Sequence, residues 1–391
     1  MKSDLVILYP LMYEDSAHSP EGLGCKSNAY IEVMDYILRN EVSDNISSCI
    51  ERRFLGRHRF RFYKDFPELH SELLAEVFGE VYLALETRTN LCVCEIIFNF
   101  RHSGRLSYYL DAVSKDDVNI LDPQMGELNM RDYLRMQGLE AVDLPKCCSF
   151  LSETPSDREL AYLVAAEFYD HDDEAFIESS EIDRILNADM SQYDFLKCYA
   201  SPRSVVHIMR LFQSQFSERI YYEGLSIFIA ELMMLNIAAI DRTNIRVKKV
   251  LISGAEPSFE IVKDINLEYA QTITLWNINI FKSFTAQTAA QKYYAAFEIE
   301  KLIEDYNRNQ EVMEHIMDVK EFIHERTQDR ILNIAAFVLT VIELCQFIFS
   351  IALSVINHEN SSAEYIVGFS MFGGITAALI VITILRTRKK P

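Results

Sequence analysis

At 391 residues the chain has room for two or three units besides any membrane segment. Its 38 Lys and Arg against 58 Asp and Glu leave a net charge of −20, which excludes general nucleic-acid binding through phosphates and suits a cytoplasmic domain or one that handles cations. The eight cysteines include Cys92-Val93-Cys94 and Cys147-Cys148 but no Cys-x-x-Cys, so reduced, buried thiols are expected and no spacing recommends a zinc site.

Met1-Lys2-Ser3-Asp4 leads into an apolar run without a cleavage pattern, so no signal peptide is expected. Leu5 to Leu11 reads as a buried strand. The loop Gly22-Leu23-Gly24-Cys25-Lys26-Ser27 resembles a phosphate loop only superficially, because the Gly-Lys-Ser order and its spacing are missing. Ser27 is instead a candidate cap for a helix over Ala29 to Leu38, with Glu32 near capping-box spacing.

Arg52 to Lys64 is the most basic window of an acidic chain: Arg52, Arg53, Arg57, Arg59, Arg61 and Lys64 fall within it. Its second half alternates. A strand there puts Arg57, Arg59 and Arg61 on one face and turns Phe60 and Phe62 towards a core. Guanidinium groups roughly 6–7 Å apart suit phosphate oxygens of a small anionic ligand. The alternative is a solvated strand face paired with neighbouring carboxylates. Glu80 to Phe100 reads as a hairpin turning near Thr87 to Asn90, Cys147 to Leu151 as an edge strand, and Ser156 to Phe168 as a helix. Together these predict an α/β domain.

The stretch around Asp170, Asp172, Asp173 and Glu174 offers oxygen ligands of the kind that hard divalent cations take, although the glycine and spacing of an EF-hand are absent. A solvated acidic loop is the competing reading. Gly224 to Ile252 predicts a core helix, too short in its apolar part to be a membrane span and ending in a basic face of Arg242, Arg246 and Lys249. No nucleophile–base pair or metal-ligand spacing stands out along the chain, so an enzyme is not expected.

No Gly or Pro occurs between Pro257 and Gly368, so nothing in that interval must break a helix. One helix from Ser283 to Ile356 would make a rod of roughly 110 Å, longer than a small domain can cover and suited to bundling with copies of itself. Ile331–Ile356 and Tyr365–Leu385 are each long enough for a hydrocarbon core of ~30 Å. The loop between them lacks Lys and Arg, whereas Arg386-Thr387-Arg388-Lys389-Lys390 is basic; the positive-inside rule then places both termini in the cytoplasm and the protein in the inner membrane. The boundaries expected are 1–200 for an α/β region, 201–282 for its helical part, 283–330 for a stalk, 331–356 and 365–385 for the spans, 357–364 for the outer loop and 386–391 for the tail.

Along the first span Asn333, Thr340, Glu343, Ser350, Ser354 and Asn357 fall within an arc of about 120° when wound at helical pitch. Several copies around an axis would turn this stripe into a pore with a carboxylate ring at Glu343, which favours cations. Helix–helix glue within a closed bundle is the alternative.

This layout resembles the CorA-like divalent-cation transport proteins, in which an α/β cytoplasmic domain, a stalk helix continuing into the pore-lining span, a short outer loop, a second span and a basic tail follow in this order. The resemblance covers the last hundred or so residues, including Asn333 before the pore segment. It implies a homopentamer in the lipid bilayer and Mg2+ as candidate ion. The family's Gly-Met-Asn signature is absent, Ser354-Val355-Ile356-Asn357 standing in its place. CorA-like proteins without it also occur as membrane effectors of prokaryotic antiviral defence, some linked to CRISPR systems. That resemblance implies a cytoplasmic domain that binds a nucleotide second messenger and gates the membrane segment.

Overall fold

The computed structural model describes residues 3–13, 28–65, 71–89, 91–100, 106–123, 125–166, 179–210, 216–252, 259–276, 278–356 and 373. Contacts divide the chain into two units, Met1–Met313 and Glu314–Pro391. The strands are β1 (Ser3–Tyr13), β2 (Ile50–Asp65), β3 (Ser71–Glu86), β4 (Leu91–Phe100), β5 (Val118–Asp122), β6 (Gly126–Asn129), β7 (Leu139–Ala141), β8 (Lys146–Leu151), β9 (Leu196–Ala200) and β10 (Ser204–Met209). The helices are α1 (Ala29–Glu41), α2 (Asp44–Ser47), α3 (Ser107–Ser114), α4 (Met130–Met136), α5 (Asp157–Ala165), α6 (Ser179–Asn187), α7 (Phe216–Ile252), α8 (Phe259–Trp276), α9 (Phe284–Ala296) and α10 (Ile299–Ile356).

All ten strands join one sheet in the order β6-β5-β2-β3-β4-β1-β8-β10-β9, with β7 also pairing β1. Every pairing is antiparallel except β8 with β10. Strand β1 is central because its residues are apolar on both faces, the pattern of a strand covered above and below. Leu5, Ile7, Tyr9 and Leu11 share one core with Phe60, Phe62, Phe98, Leu110, Leu134 and Leu163. On the other face α7 packs against β1, β4 and β8. Each fully buried Leu, Ile or Phe there contributes roughly 1.5–3 kcal/mol of transfer free energy. The expected α/β domain is therefore present, as a sheet with helices on both sides.

One bulge in β2 decides which side chains go where. The register with β3 slips between Phe54 and Gly56, and Gly56 holds φ +133°, a conformation that a Cβ makes costly. A one-residue slip reverses the faces that follow. Arg52, opposite Ala84, consequently belongs to the face under α7, whereas Phe60 and Phe62 belong to the opposite core.

Helix α7 is covered on nearly all sides, and 94% of its most apolar window is buried. It begins at Phe216, eight residues ahead of the expected start. At Gly224 a Cβ would lie 2.5 Å from Ile37 Cδ1, so glycine is what lets α1 approach α7 there.

Three expectations need correction. The cap of α1 is Asn28, whose side chain accepts from the Tyr30 N–H, and Ser27 lies outside the described residues. Strand β8 is interior, held between β1 and β10, and every residue in it is buried. The helix does not run unbroken from Ser283, since α9 ends at Ala296 and, after its cap Phe297, Glu298 takes a left-handed φ of 55° before α10 starts. The first turns of α10 then belong to the core of the first unit, with Ile299, Tyr306 and Met313 fully buried. Elsewhere the hairpin turn at 87–89 and the Ser156 cap of α5 lie where the sequence places them.

Candidate functional site

Within the second unit, α10 carries the segment Arg326–Ile348, long and apolar enough to cross a membrane, and none of its most apolar window is buried. Phe337 is 69% exposed, and Ile331, Ile334 and Leu339 are exposed with it. Apolar side chains at this density without cover are unstable in water and stable in lipid or against another copy. The two helices that pass the length and composition test, α7 and this part of α10, are separated by burial alone.

On α10, Asn333, Thr340 and Ser350 are exposed and Glu343 is half-buried. Thr340 donates its hydroxyl to the Ala336 carbonyl at 2.8 Å, so its polarity is satisfied inside the helix. Ser354 has its backbone in α10. Asn357, the outer loop, the second span 365–385 and the basic tail lie outside the described residues, Gly373 apart. Helical winding keeps the four described stripe positions on one side of α10.

The basic strand is part of the sheet, and its arginines have partners. Arg57 and Arg59 sit over the exposed Phe78 ring, at 5.0 and 5.4 Å from its centroid. Arg59 approaches Glu76 at 3.4 Å, and Arg61 binds Glu76 at 3.1 Å and Glu127 at 2.7 Å. Glu127 also accepts from Asn119 and from the Tyr63 hydroxyl. Slight burial works against its ionisation, but the hydrogen bonds from Asn119, Tyr63 and Arg61 prevail and lower its pKa. The carboxylate-paired alternative describes this geometry for Arg59 and Arg61; an arriving phosphate would compete with two carboxylates. Lys64 has its backbone at the end of β2.

Arg53 lies on the opposite face, whereas Arg52 shares the face of Arg57, Arg59 and Arg61 but sits farther along it, under α7. Both are buried, Arg53 bonding Glu51 at 2.7 Å and Arg52 pairing tightly with Glu231 of α7, with Asp35 at 3.9 Å. Burial and Glu231 also raise the Tyr30 hydroxyl pKa, and that hydroxyl donates to Glu95 at 2.8 Å. The second Glu95 oxygen and both amide atoms of buried Asn236 lack partners among the described residues. A polar seam thus runs under α7 where the sequence alone predicts only apolar packing.

The acidic candidates Asp170, Asp172, Asp173 and Glu174 lie outside the described residues, as does the loop Gly22–Ser27. Among the described residues no group of three or more His, Cys, Asp or Glu is placed to hold a metal ion.

A cavity that sequence reading misses opens between the sheet edge and two helices. Leu196 and His207 come from β9 and β10, Leu225 and Ile229 from α7, and Lys292 and Tyr293 from α9. Its enclosed space is about 50 Å³, and about 510 Å³ when the mouth open to solvent is included. At its inner end His207 Nε2 meets the Tyr293 hydroxyl at 2.6 Å and the imidazole stacks on Phe150. Burial pushes the His207 pKa down to about 3, so the ring is neutral at physiological pH. No spacing rule joins position 192 to positions 207 and 292; only the hydrophobic alternation of β10 and α7 hints that their polar members, His207 and Ser226, are buried. No family model, no characterised protein and no solved structure matches this chain.

Proposed function

We propose that this chain is a subunit of a cation-conducting membrane channel, built from several copies and gated by a small ligand bound to its cytoplasmic domain. The observation that carries the reading is α10 itself. Its first turns are core residues of the α/β domain, and the same helix continues into an uncovered apolar segment with a polar stripe. A carboxylate at mid-membrane costs about 2.5–3.5 kcal/mol on insertion scales, a cost that falls away where it faces water. Copies arranged with Asn333, Thr340, Glu343 and Ser350 inward would create that water path, with the Glu343 ring attracting cations. The CorA-like resemblance supplies the pentamer, both termini in the cytoplasm and Mg2+ as a candidate ion; its defence-associated members supply a nucleotide second messenger as a candidate trigger.

Proteoliposomes containing the full chain test this. Cation flux with a reversal potential that moves towards non-selectivity in Glu343→Gln supports the pore. Flux that stops on adding Mg2+ at the cytoplasmic face assigns divalent-cation transport instead. A selectivity unchanged by Glu343→Gln removes the stripe from the pore, and absence of flux under all conditions leaves a membrane-anchored scaffold.

A further inference from the structure

The cavity between the sheet edge, α7 and α9 has the features of a ligand site rather than a packing defect. Its walls are mostly apolar, from Leu196, Leu225 and Ile229, and the rings of Tyr193 and Tyr222 stand 5.6 Å apart at its side. Phe195 extends the same ring cluster, stacking on Tyr193 at 5.1 Å. Packed interiors leave few voids larger than water, and binding pockets combine an apolar lining with a few placed polar groups.

Two polar side chains in the lining are incompletely used. His207 is 2% exposed, and its Nδ1 has no hydrogen-bond partner among the described residues, which is unfavourable for a buried polar atom. Lys292 donates to the Met190 carbonyl at 2.7 Å, and among the described residues no carboxylate lies within ion-pair distance of it. That is unusual in a chain of net charge −20. One ammonium and no guanidinium in the lining select a monoanion over a phosphate, which draws on several donors.

We propose that this cavity binds a small aromatic carboxylate, its ring among Tyr193, Tyr222 and Leu225 and its carboxylate on Lys292. The occupant touches α9 through Thr285, Ala289, Lys292 and Tyr293, which recur at helical spacing along one face. Helix α9 is joined to α10 by only Phe297 and Glu298, so a ligand that shifts α9 acts directly on the start of the helix that enters the apolar segment. The binding stands on the cavity alone; its effect on conductance rests on the channel reading.

Calorimetric titration of the full chain in detergent with benzoate, salicylate, neutral benzyl alcohol and linear octanoate tests the proposal. Benzoate or salicylate binds at millimolar concentration or below, and Lys292→Met weakens it about tenfold or more, as loss of a charged hydrogen bond requires. Benzyl alcohol is unaffected by that change, which also shows that the variant is folded. Ala289→Phe, which fills the cavity, abolishes binding of all four. No heat with either aromatic acid, or equal affinity in Lys292→Met, overturns the assignment, and tighter octanoate binding overturns its aromatic part. Flux measured separately in proteoliposomes distinguishes the two levels: binding with unchanged flux retains the site and removes the gating role.

Discussion

Helix α7 and the 326–348 segment of α10 are nearly equivalent as sequence and opposite as structure. Both are long and apolar, and both carry a carboxylate within the apolar stretch, Glu231 in one and Glu343 in the other. The sheet, α1 and α8 cover α7, and Arg52 reaches across from β2 to meet Glu231. Among the described residues nothing covers the apolar window of the α10 segment. Apolar length therefore measures a demand for cover, and the tertiary structure decides whether chain or bilayer supplies it.

The sharpest way to break this comparison is to remove one helix. A chain ending at residue 325 is expected in the soluble fraction with its unfolding transition intact, whereas the full chain sediments with membranes and needs detergent. If residues 1–325 still require detergent, uncovered apolar surface also lies in the first unit and the contrast with α7 fails.

Neutralising the two carboxylates gives the next largest effect. Glu231→Gln leaves Arg52 buried without its counter-ion and is expected to cost about 3–5 kcal/mol in denaturant unfolding, while Arg52→Met with Glu231→Leu recovers most of it. Glu343→Gln is expected to leave the unfolding of the same domain within about 0.5 kcal/mol of the parent. Equal costs would mean that the α10 segment is integrated into the domain after all.

Acid sharpens the point that the first unit hides polar groups. An unfolded histidine takes up a proton below its ordinary pKa near 6.5, but folded His207 resists until about 3. The stability tied to its neutral state is complete above about 6.5 and is lost as pH falls from there towards 3. Between pH 7 and 4 the parent should lose about 3 kcal/mol that His207→Gln does not lose, read from unfolding midpoints at each pH. Parallel pH profiles would place His207 in contact with water.

The smallest effect concerns α1, which packs over α7. Asn28→Ala should destabilise the domain by about 1 kcal/mol through the lost cap, and Ser27→Ala should be neutral. The reverse order would restore position 27 as the cap.

Much of this arrangement is legible in the residues. The apolar run of β1, the alternation of Arg57 to Phe62 and the Thr87–Thr89 turn specify their strands, because a two-residue period and turn chemistry are local properties. The pore-stripe candidates are legible for the same reason, as a helical period is local too. The buried fate of Arg52 is not legible, because the slip at Gly56 and the arrival of Glu231 from 179 positions away decide it. Nor is the interior place of β8, which follows from β10 adding in parallel beyond it.

By itself the sequence determined which segments are apolar, which faces they turn and where a helix is free to continue, since these depend on side chains a few positions apart. Only the tertiary structure decided that α7 is covered, that the arginines of β2 divide between a buried pair and a self-neutralised face, and that α9, α7 and the β9–β10 edge form a cavity lined by Lys292, which among the described residues meets a carbonyl and no carboxylate. Those outcomes depend on which distant groups meet, because burial and charge pairing are set by long-range contacts that no local period encodes.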